Sequence, residues 1–223
     1  MTLPGALVSC TFLGLQHGID VDHVAAITDV TSIQRTPLDA TRCGLFYAVG
    51  HAATVGLLGV AVITLKRSVP ADASLWMERV IGMTLVLLGV YVSASLFSGA
   101  APMGRGRALL SIIDRIRRRP VKVDAAGGYG PKSSLSLGVL HGVGAETPTQ
   151  LSVLLITSNL GGIQNGILGL SVFAVGMFVS NMVLTTAATG MFSISKARPA
   201  AFRLLAAFTA AYSLWIGIKM MVG

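Results

Sequence analysis

Two histidines and two aspartates lie within seven consecutive residues of an otherwise apolar stretch near the start of the chain. His17, Asp22 and His23 form the pattern H-x4-D-H, and Asp20 lies between them. An ionisable side chain costs about 2.5–3.5 kcal/mol at the centre of a bilayer-spanning helix, so four of them need a compensating partner. Imidazole nitrogens and carboxylate oxygens together are typical ligands of divalent metals. We therefore predict a metal site in this segment.

The whole chain has the composition of an integral membrane protein. It has 223 residues, of which 53% are hydrophobic and 12% charged, and its mean hydropathy is +0.74. Soluble domains carry about 25% charged residues. Six continuous apolar stretches are long enough to cross a bilayer as helices, namely residues 4–29, 43–65, 75–97, 133–157, 163–190 and 200–221. We predict an all-α, multi-pass membrane protein and not a barrel, whose strands would alternate in polarity.

The net charge of +8 is concentrated between the spans. Residues 99–132 hold eight basic and two acidic residues, and a basic loop between spans usually faces the cytoplasm. We expect this loop to be mobile and to contact anionic lipid headgroups, and we predict no nucleic-acid partner. The short loops 30–42 and 191–203 then also lie inside. The predicted location is the cytoplasmic (inner) membrane, with both ends of the chain outside.

The two halves of the chain resemble each other. Residues 13–23, LGLQHGIDVDH, align with residues 137–147, LGVLHGVGAET, and residues 47–51, YAVGH, align with residues 173–177, FAVGM. Each half has three predicted spans, so the second half enters the membrane from the opposite side, as in many secondary transporters. We predict two inverted three-helix repeats, 1–98 and 133–223, joined by the 99–132 loop. Chance agreement among small residues is the alternative.

The first and fourth spans are expected to be distorted helices. Gly18 offers a break in the first, and Pro148 removes a backbone donor in the fourth. A helix broken near the midplane exposes backbone groups that bind ions. The plainer alternative is that Asp20 or Asp22 only caps the break or bonds to another helix.

Further candidates follow from the second span and from the repeat. His51 lies in the second span, and the repeat aligns it with Met177. Imidazole suits nickel, copper and zinc, whereas thioether sulfur suits softer ions. We predict five metal ligands, and four residues that orient ligands or carry protons. The ligands are His17, Asp20, Asp22, His23 and His51, and the others are His141, Glu146, Met177 and Asn181.

Three motifs resemble those of the nickel/cobalt transporter (NiCoT) family. Residues 17–32, HGIDVDHVAAITDVTS, are similar to the family's signature helix with H-x4-D-H. VGHAATV around His51 is similar to a second motif, and GMFVSN to a third, with Asn181 in place of an acid. The chain departs from the family in having six spans instead of eight. It also has LHGVGAETPTQ in place of an LGFDTATE-like motif, with Glu146 as the remaining acid. The resemblance implies a short branch of the family.

The residues and the resemblance together predict a secondary transporter and not an enzyme. The resemblance implies Ni²⁺ or Co²⁺ as the transported substrate, with no tightly bound cofactor. Uptake is favoured because the chain has no histidine-rich loop. The chain also has no visible Walker motif for ATP binding. Two alternatives stay open, a proton-coupled carrier of a small organic or sulfur-containing solute, and a non-transporting membrane subunit. Assembly into a homo-oligomer also stays open.

Overall fold

Long helices make up the described part of the protein. The computed structural model describes residues 2–65, 71–97, 130–144, 152–154, 156–157 and 159–222. Within these ranges there is no strand. The long helices are α1 (Leu3–His17), α2 (Val21–Ser32), α3 (Pro37–Leu65), α4 (Ala71–Phe97), α5 (Pro131–Gly144), α6 (Ile163–Ser195) and α7 (Pro199–Val222).

Three of these helices, α3, α6 and α7, are long and apolar enough to cross a membrane. Their outer faces carry large apolar side chains, such as Leu57, Val183 and Leu204, which expose 73%, 64% and 73% of their surface. Lipid accommodates such faces, and a helix satisfies its own backbone hydrogen bonds there. The described architecture is therefore all-helical and suited to a membrane. Of the basic 99–132 loop, only residues 130–132 belong to the described ranges.

The first apolar stretch, residues 4–29, is two helices separated by a short turn. α1 ends at His17 and α2 begins at Val21. In the turn, the N–H of Asp20 donates to the carbonyl of His17 at 3.0 Å. Asp20 then precedes α2 with an extended backbone (φ −59°, ψ 155°). The break lies where the sequence predicts a distorted helix. Pro148, the break expected in the fourth span, lies outside the described residues.

Helices of the first half pack on helices of the second half through glycines. α1 lies against α6, and α5 lies against α3. A Cβ atom added at Gly14 would overlap the carbonyl oxygen of Phe173, and one added at Gly138 would overlap that of Tyr47. Close approach of this kind requires a residue without a side chain. The glycines and the aromatic residues of these two contacts are aligned pairs in the sequence repeat.

The same pairing continues one helical turn further along. A Cβ atom at Gly18 would lie 2.6 Å from the carbonyl oxygen of Met177, and one at Gly142 would lie 3.0 Å from that of His51. These four residues are again aligned pairs. The two helix pairs, α1 with α6 and α5 with α3, therefore meet through equivalent surfaces.

α4 and α7 pack on each other in a similar way. A Cβ atom at Gly82 would lie 2.6 Å from the carbonyl oxygen of Gly217, and one at Gly217 would lie 2.6 Å from that of Gly82. These two helices also pack against α2. The apolar core that they share with α2 and α3 contains Ala25, Ala26, Ile27, Tyr47, Ile81, Leu85, Leu88 and Ile216.

Two more apolar clusters lie on either side of the level of His51. The first, the Leu170 cluster, contains Cys10, Val55, Ile63, Val153, Leu170, Phe173 and Met177. The second, the Phe192 cluster, contains Val30, Ile33, Cys43, Val92, Phe192, Ala206 and Ala210. Polar groups at the level of His51 therefore have packed apolar side chains both above and below them.

A lysine ties the two chain segments at the Phe192 end together. Lys196 Nζ donates to the carbonyl oxygens of Gln34 and Arg35, at 2.7 and 3.3 Å. These carbonyls follow the C-terminus of α2, where the helix dipole favours a cation. Burial lowers the pKa of the Lys196 ammonium group. The contact holds the end of α6 to the α2–α3 connection.

Replacement of Gly138 by alanine is expected to lower the thermal unfolding temperature of the purified protein, because the new methyl group would overlap a backbone oxygen. Overpacking of this kind costs about 1–3 kcal/mol. Gly190→Ala is the matched control, since a Cβ atom there has no neighbour within 4 Å and alanine favours a helix by about 0.5–1 kcal/mol. Melting curves in one detergent compare the two variants. Equal stability of both would contradict the close contact between α5 and α3.

Candidate metal centre

Three histidines from three helices meet in the interior. His17 is the last residue of α1, His23 lies in the first turn of α2, and His51 lies in the middle of α3. The Nε2 atom of His51 is 3.2 Å from Nε2 of His17 and 3.1 Å from Nε2 of His23. All three side chains are fully buried, and one ligand nitrogen of each lies within 4.8 Å of the others. We call this group the tri-histidine centre.

The break between α1 and α2 brings the first two histidines together. Six residues apart in one continuous helix, they would point about 120° away from each other. Across the break, the centroids of the His17 and His23 rings are 4.8 Å apart. Gly18 seats the break against α6, because a Cβ atom there would overlap the hydroxyl oxygen of Ser180. The local turn and the glycine contact thus create the centre.

Each of these two histidines has an aspartate at its other ring nitrogen. Nδ1 of His17 lies 3.0 Å from Oδ2 of Asp20, and Nδ1 of His23 lies 3.1 Å from Oδ1 of Asp22. A carboxylate in this position accepts the Nδ1–H, which assigns the remaining lone pair to Nε2. The two aspartates, predicted as direct ligands, are therefore placed on the outer side of the rings. Asp22 is almost fully buried, whereas Asp20 is 23% exposed.

The arrangement is suited to a cation by its electrostatics. With Nδ1–H donated to the aspartates, the Nε2 atoms of His17 and His23 present lone pairs toward Nε2 of His51. A neutral His51 can donate an Nε2–H to only one of these two acceptors, so one of the close nitrogen contacts stays unsatisfied unless a positive charge lies among them. The carboxylates behind the rings add negative charge to the same region. This donor set of imidazole nitrogens is one that Ni²⁺, Cu²⁺ or Zn²⁺ fits.

Aromatic side chains form the walls of the centre. The ring of Phe173 stacks on that of His17, with centroids 5.5 Å apart. The ring of Tyr47 lies nearly parallel to that of His51, at 6.1 Å. Both aromatic side chains are fully buried. They pack against the imidazoles and limit the movement of the rings.

The fourth histidine, His141 of α5, is connected to the centre through Tyr47. The hydroxyl of Tyr47 lies 2.8 Å from Nδ1 of His141, and Oγ1 of Thr84 lies 3.2 Å from Nε2. The Thr84 hydroxyl donates to the carbonyl of Ile81 at 2.7 Å, so its oxygen is left to accept the Nε2–H. Nδ1 of His141 then accepts a hydrogen bond from the hydroxyl of Tyr47. In the neutral form of His141, this chain of hydrogen bonds selects one tautomer.

The remaining predicted residues are distributed around this centre. Met177 is buried in the Leu170 cluster, and Asn181 is fully buried one turn further along α6. Glu146 lies outside the described residues. Sequence reasoning did not assign roles to Tyr47 and Thr84. The signal for Tyr47 was its place in YAVGH, four residues before His51; nothing in the sequence singled out Thr84.

Comparison with known proteins finds relatives along most of the chain. The urease accessory protein UreH of a Bacillus species is 24% identical over 174 residues, 78% of this chain and 72% of the relative. The nickel transporter NixA of Staphylococcus aureus is 28% identical over 207 residues, 80% of this chain and 58% of the relative. A Methanocaldococcus jannaschii protein named for nickel/cobalt efflux is 22% identical over 176 residues, 78% of this chain and 71% of the relative. No family model and no solved structure matches the chain.

Replacement of Asp22 by asparagine is expected to weaken divalent-metal binding by about 10–100-fold, because a neutral amide holds the imidazole of His23 less firmly and removes a nearby negative charge. Isothermal titration of Ni²⁺ into detergent-purified protein measures the effect. Asp39→Asn is the matched control, since that carboxylate accepts from Thr36 at 2.7 Å on the exposed start of α3. An unchanged affinity in Asp22→Asn would contradict the orienting role of Asp22.

Proposed function

We propose that the chain, as a member of the nickel/cobalt transporter family, moves Ni²⁺, with Co²⁺ as the second candidate, across the cytoplasmic membrane into the cell. One observation carries the proposal: three buried imidazoles converge on one point. Nitrogen donors suit Ni²⁺ and Co²⁺, whereas Mg²⁺ and Ca²⁺ prefer oxygen. The ion is a transported substrate, and no enzymatic step is part of the proposal.

The proposed direction of transport is uptake into the cell. NixA is named as a nickel transporter without a direction, and the M. jannaschii relative is named for efflux. Uptake is favoured by where this chain places its histidines. All four lie within helices α1, α2, α3 and α5, and none lies in a loop that could sense metal.

We place the centre between two inverted repeats, residues 1–98 and 133–223. The matched glycine contacts support this: Gly14 meets Phe173 as Gly138 meets Tyr47. They also support an equivalence of α1 with α5 and of α3 with α6. Inverted repeats allow two related packings to exchange, which exposes a buried site first to one side of the membrane and then to the other.

Binding at this centre requires the ion to lose most of its water. The Leu170 and Phe192 clusters lie above and below the histidines. Because these clusters are apolar, the nitrogen atoms of the histidines must replace the lost hydration. Only neutral imidazoles bind a metal, so binding weakens as the pH falls. Asp20 and Asp22 hold the rings in the binding tautomer or, on closure around the ion, bind it directly. Met177, the repeat counterpart of His51, offers sulfur near the same level.

His141 is assigned a coupling role beside the centre. Its imidazole contacts the centre through the hydroxyl of Tyr47, whose ring packs against His51. A change in the position of His51 would therefore alter the hydrogen bond between Tyr47 and His141, and with it the readiness of His141 to take up a proton. Glu146, two residues after the end of α5 at Gly144, is proposed from the sequence as a second proton carrier.

A second candidate function follows from one relative. UreH is named as a urease accessory protein, which favours a membrane subunit that holds metal for other proteins without moving it. A liposome experiment with this chain alone separates the two functions. Metal binding without flux would support the accessory role.

The expected result is that the parent protein, reconstituted into liposomes containing a metal-quenched fluorophore, carries Ni²⁺ inward. His51→Ala is expected to abolish both flux and binding, because it removes the imidazole whose Nε2 lies next to that of both other histidines. His141→Gln is the informative comparison, since it alters a buried histidine outside the centre. It is expected to bind Ni²⁺ with near-parent affinity and to carry it more slowly. Parent-like flux in His51→Ala would overturn the ligand assignment.

A further inference from the structure

The buried face of α6 changes character at the level of the tri-histidine centre. Up to Met177, the buried positions of this helix are apolar or glycine. Beyond it come Asn181, Thr185 and Thr189, which are spaced by four residues and therefore share one face of the helix. Their exposed fractions are 0%, 0% and 8%. A polar stripe thus leads from the centre toward the Phe192 cluster.

The polar atoms of this stripe have no hydrogen-bond partner among the described residues. They are both amide atoms of Asn181 and the hydroxyl oxygens of Thr185 and Thr189. Other helical threonines here bond to their own backbone, as Thr186 does to the carbonyl of Met182 at 2.8 Å. Buried polar groups without partners are destabilising. Their presence in this stripe therefore indicates a role other than packing.

The stripe begins beside the tri-histidine centre and follows α3. A Cβ atom at Gly18, the residue after His17, would lie 3.2 Å from the backbone nitrogen of Asn181. One turn further, Thr185 packs against α3, with its Cβ atom 2.8 Å from the position of a Cβ atom at Gly44. The stripe therefore runs between α6 and α3, toward the connection that Lys196 binds.

The other half of the chain provides an internal comparison. In the register that aligns Phe173 with Tyr47, the stripe corresponds to three residues of α3 without polar side chains. These are Val55, Gly59 and Ile63, and all three are buried. Their packing is equivalent. Gly59, the counterpart of Thr185, packs against Leu170, which is the counterpart of Gly44. The fold therefore accepts apolar residues at these positions, and of the two sets of aligned positions only the one in α6 carries side-chain oxygen atoms.

We propose that Asn181, Thr185 and Thr189 form a second cation position, which receives a divalent metal ion between the tri-histidine centre and the α2–α3 end. This inference rests on the proposed transport function. Amide and hydroxyl oxygens bind the ion directly or accept hydrogen bonds from the water that it regains. They bind a transition metal more weakly than imidazole does. Weak binding is needed at a site along a transport path, because the ion has to leave each site that it enters. The basic loops place this end on the cytoplasmic side.

The test measures nickel flux and nickel binding in the same protein. Thr185→Val keeps the shape of the side chain and removes its oxygen, so flux is expected to fall by about ten-fold or more, equivalent to 1.4 kcal/mol. The affinity of the tri-histidine centre, measured by titration, is expected to stay unchanged. Thr185→Ser, which keeps the oxygen, is expected to retain flux, and Asn181→Leu to lose it. The melting temperature of Thr185→Val is expected to be no lower than that of the parent.

Thr186→Val is the matched control, since Thr186 is the neighbouring threonine on the exposed face of α6; it is expected to carry nickel at the parent rate. Parent-like flux in both Thr185→Val and Asn181→Leu would overturn the second position and leave the proposed function standing. Loss of nickel affinity in Thr185→Val would overturn it too, since Thr185 would then belong to the histidine centre. A parent protein that neither binds nor carries nickel would overturn both proposals.

Discussion

Three imidazole nitrogens directed at one point in a dry interior are the constraint on which the rest of this structure depends. At most one of the two close contacts to Nε2 of His51 can be a hydrogen bond from a neutral His51, and the surrounding side chains are apolar. Two carboxylates add negative charge behind the rings and fix two of the tautomers. A cation at this point, as proposed, would restore the balance, and it would account for four ionisable residues in one short segment of a membrane protein.

The neighbouring turn, a glycine contact and two aromatic side chains hold these rings in place. The turn between α1 and α2 brings the rings of His17 and His23 together. Gly18 allows that turn to pack closely against α6. Phe173 and Tyr47 limit the rings from two sides. Backbone-to-backbone contact through glycine leaves no flexible side chain between the helices, so the site is held by rigid elements.

Much of the centre could be predicted from the sequence, because its parts lie close together along the chain. The H-x4-D-H pattern and the break at Gly18 depend on residue type and spacing alone, and the choice of His51 depends on its place in the second span, on the repeat and on the family resemblance. The placement of the carboxylates could not be predicted, since helical periodicity does not apply across a break. The partners of His141 depend on how α5 packs against α3 and α4, which no spacing encodes. Thr185 and Thr189 resemble ordinary threonines of membrane helices until their missing backbone bonds are seen.

The crossed packing of the helices affects how the protein is made. α1 lies against α6, and α5 lies against α3, so the glycine face of each of these first helices is covered by a helix from the other half of the chain. When a ribosome has completed α1, α2 and α3, all three centre histidines have been synthesised, but the surface that seats Gly14 and Gly18 arrives only with α6, which begins at Ile163. Assembly of the centre is thus a late event of membrane insertion, and a chain interrupted before α6 retains every one of these imidazoles without the support that aligns them.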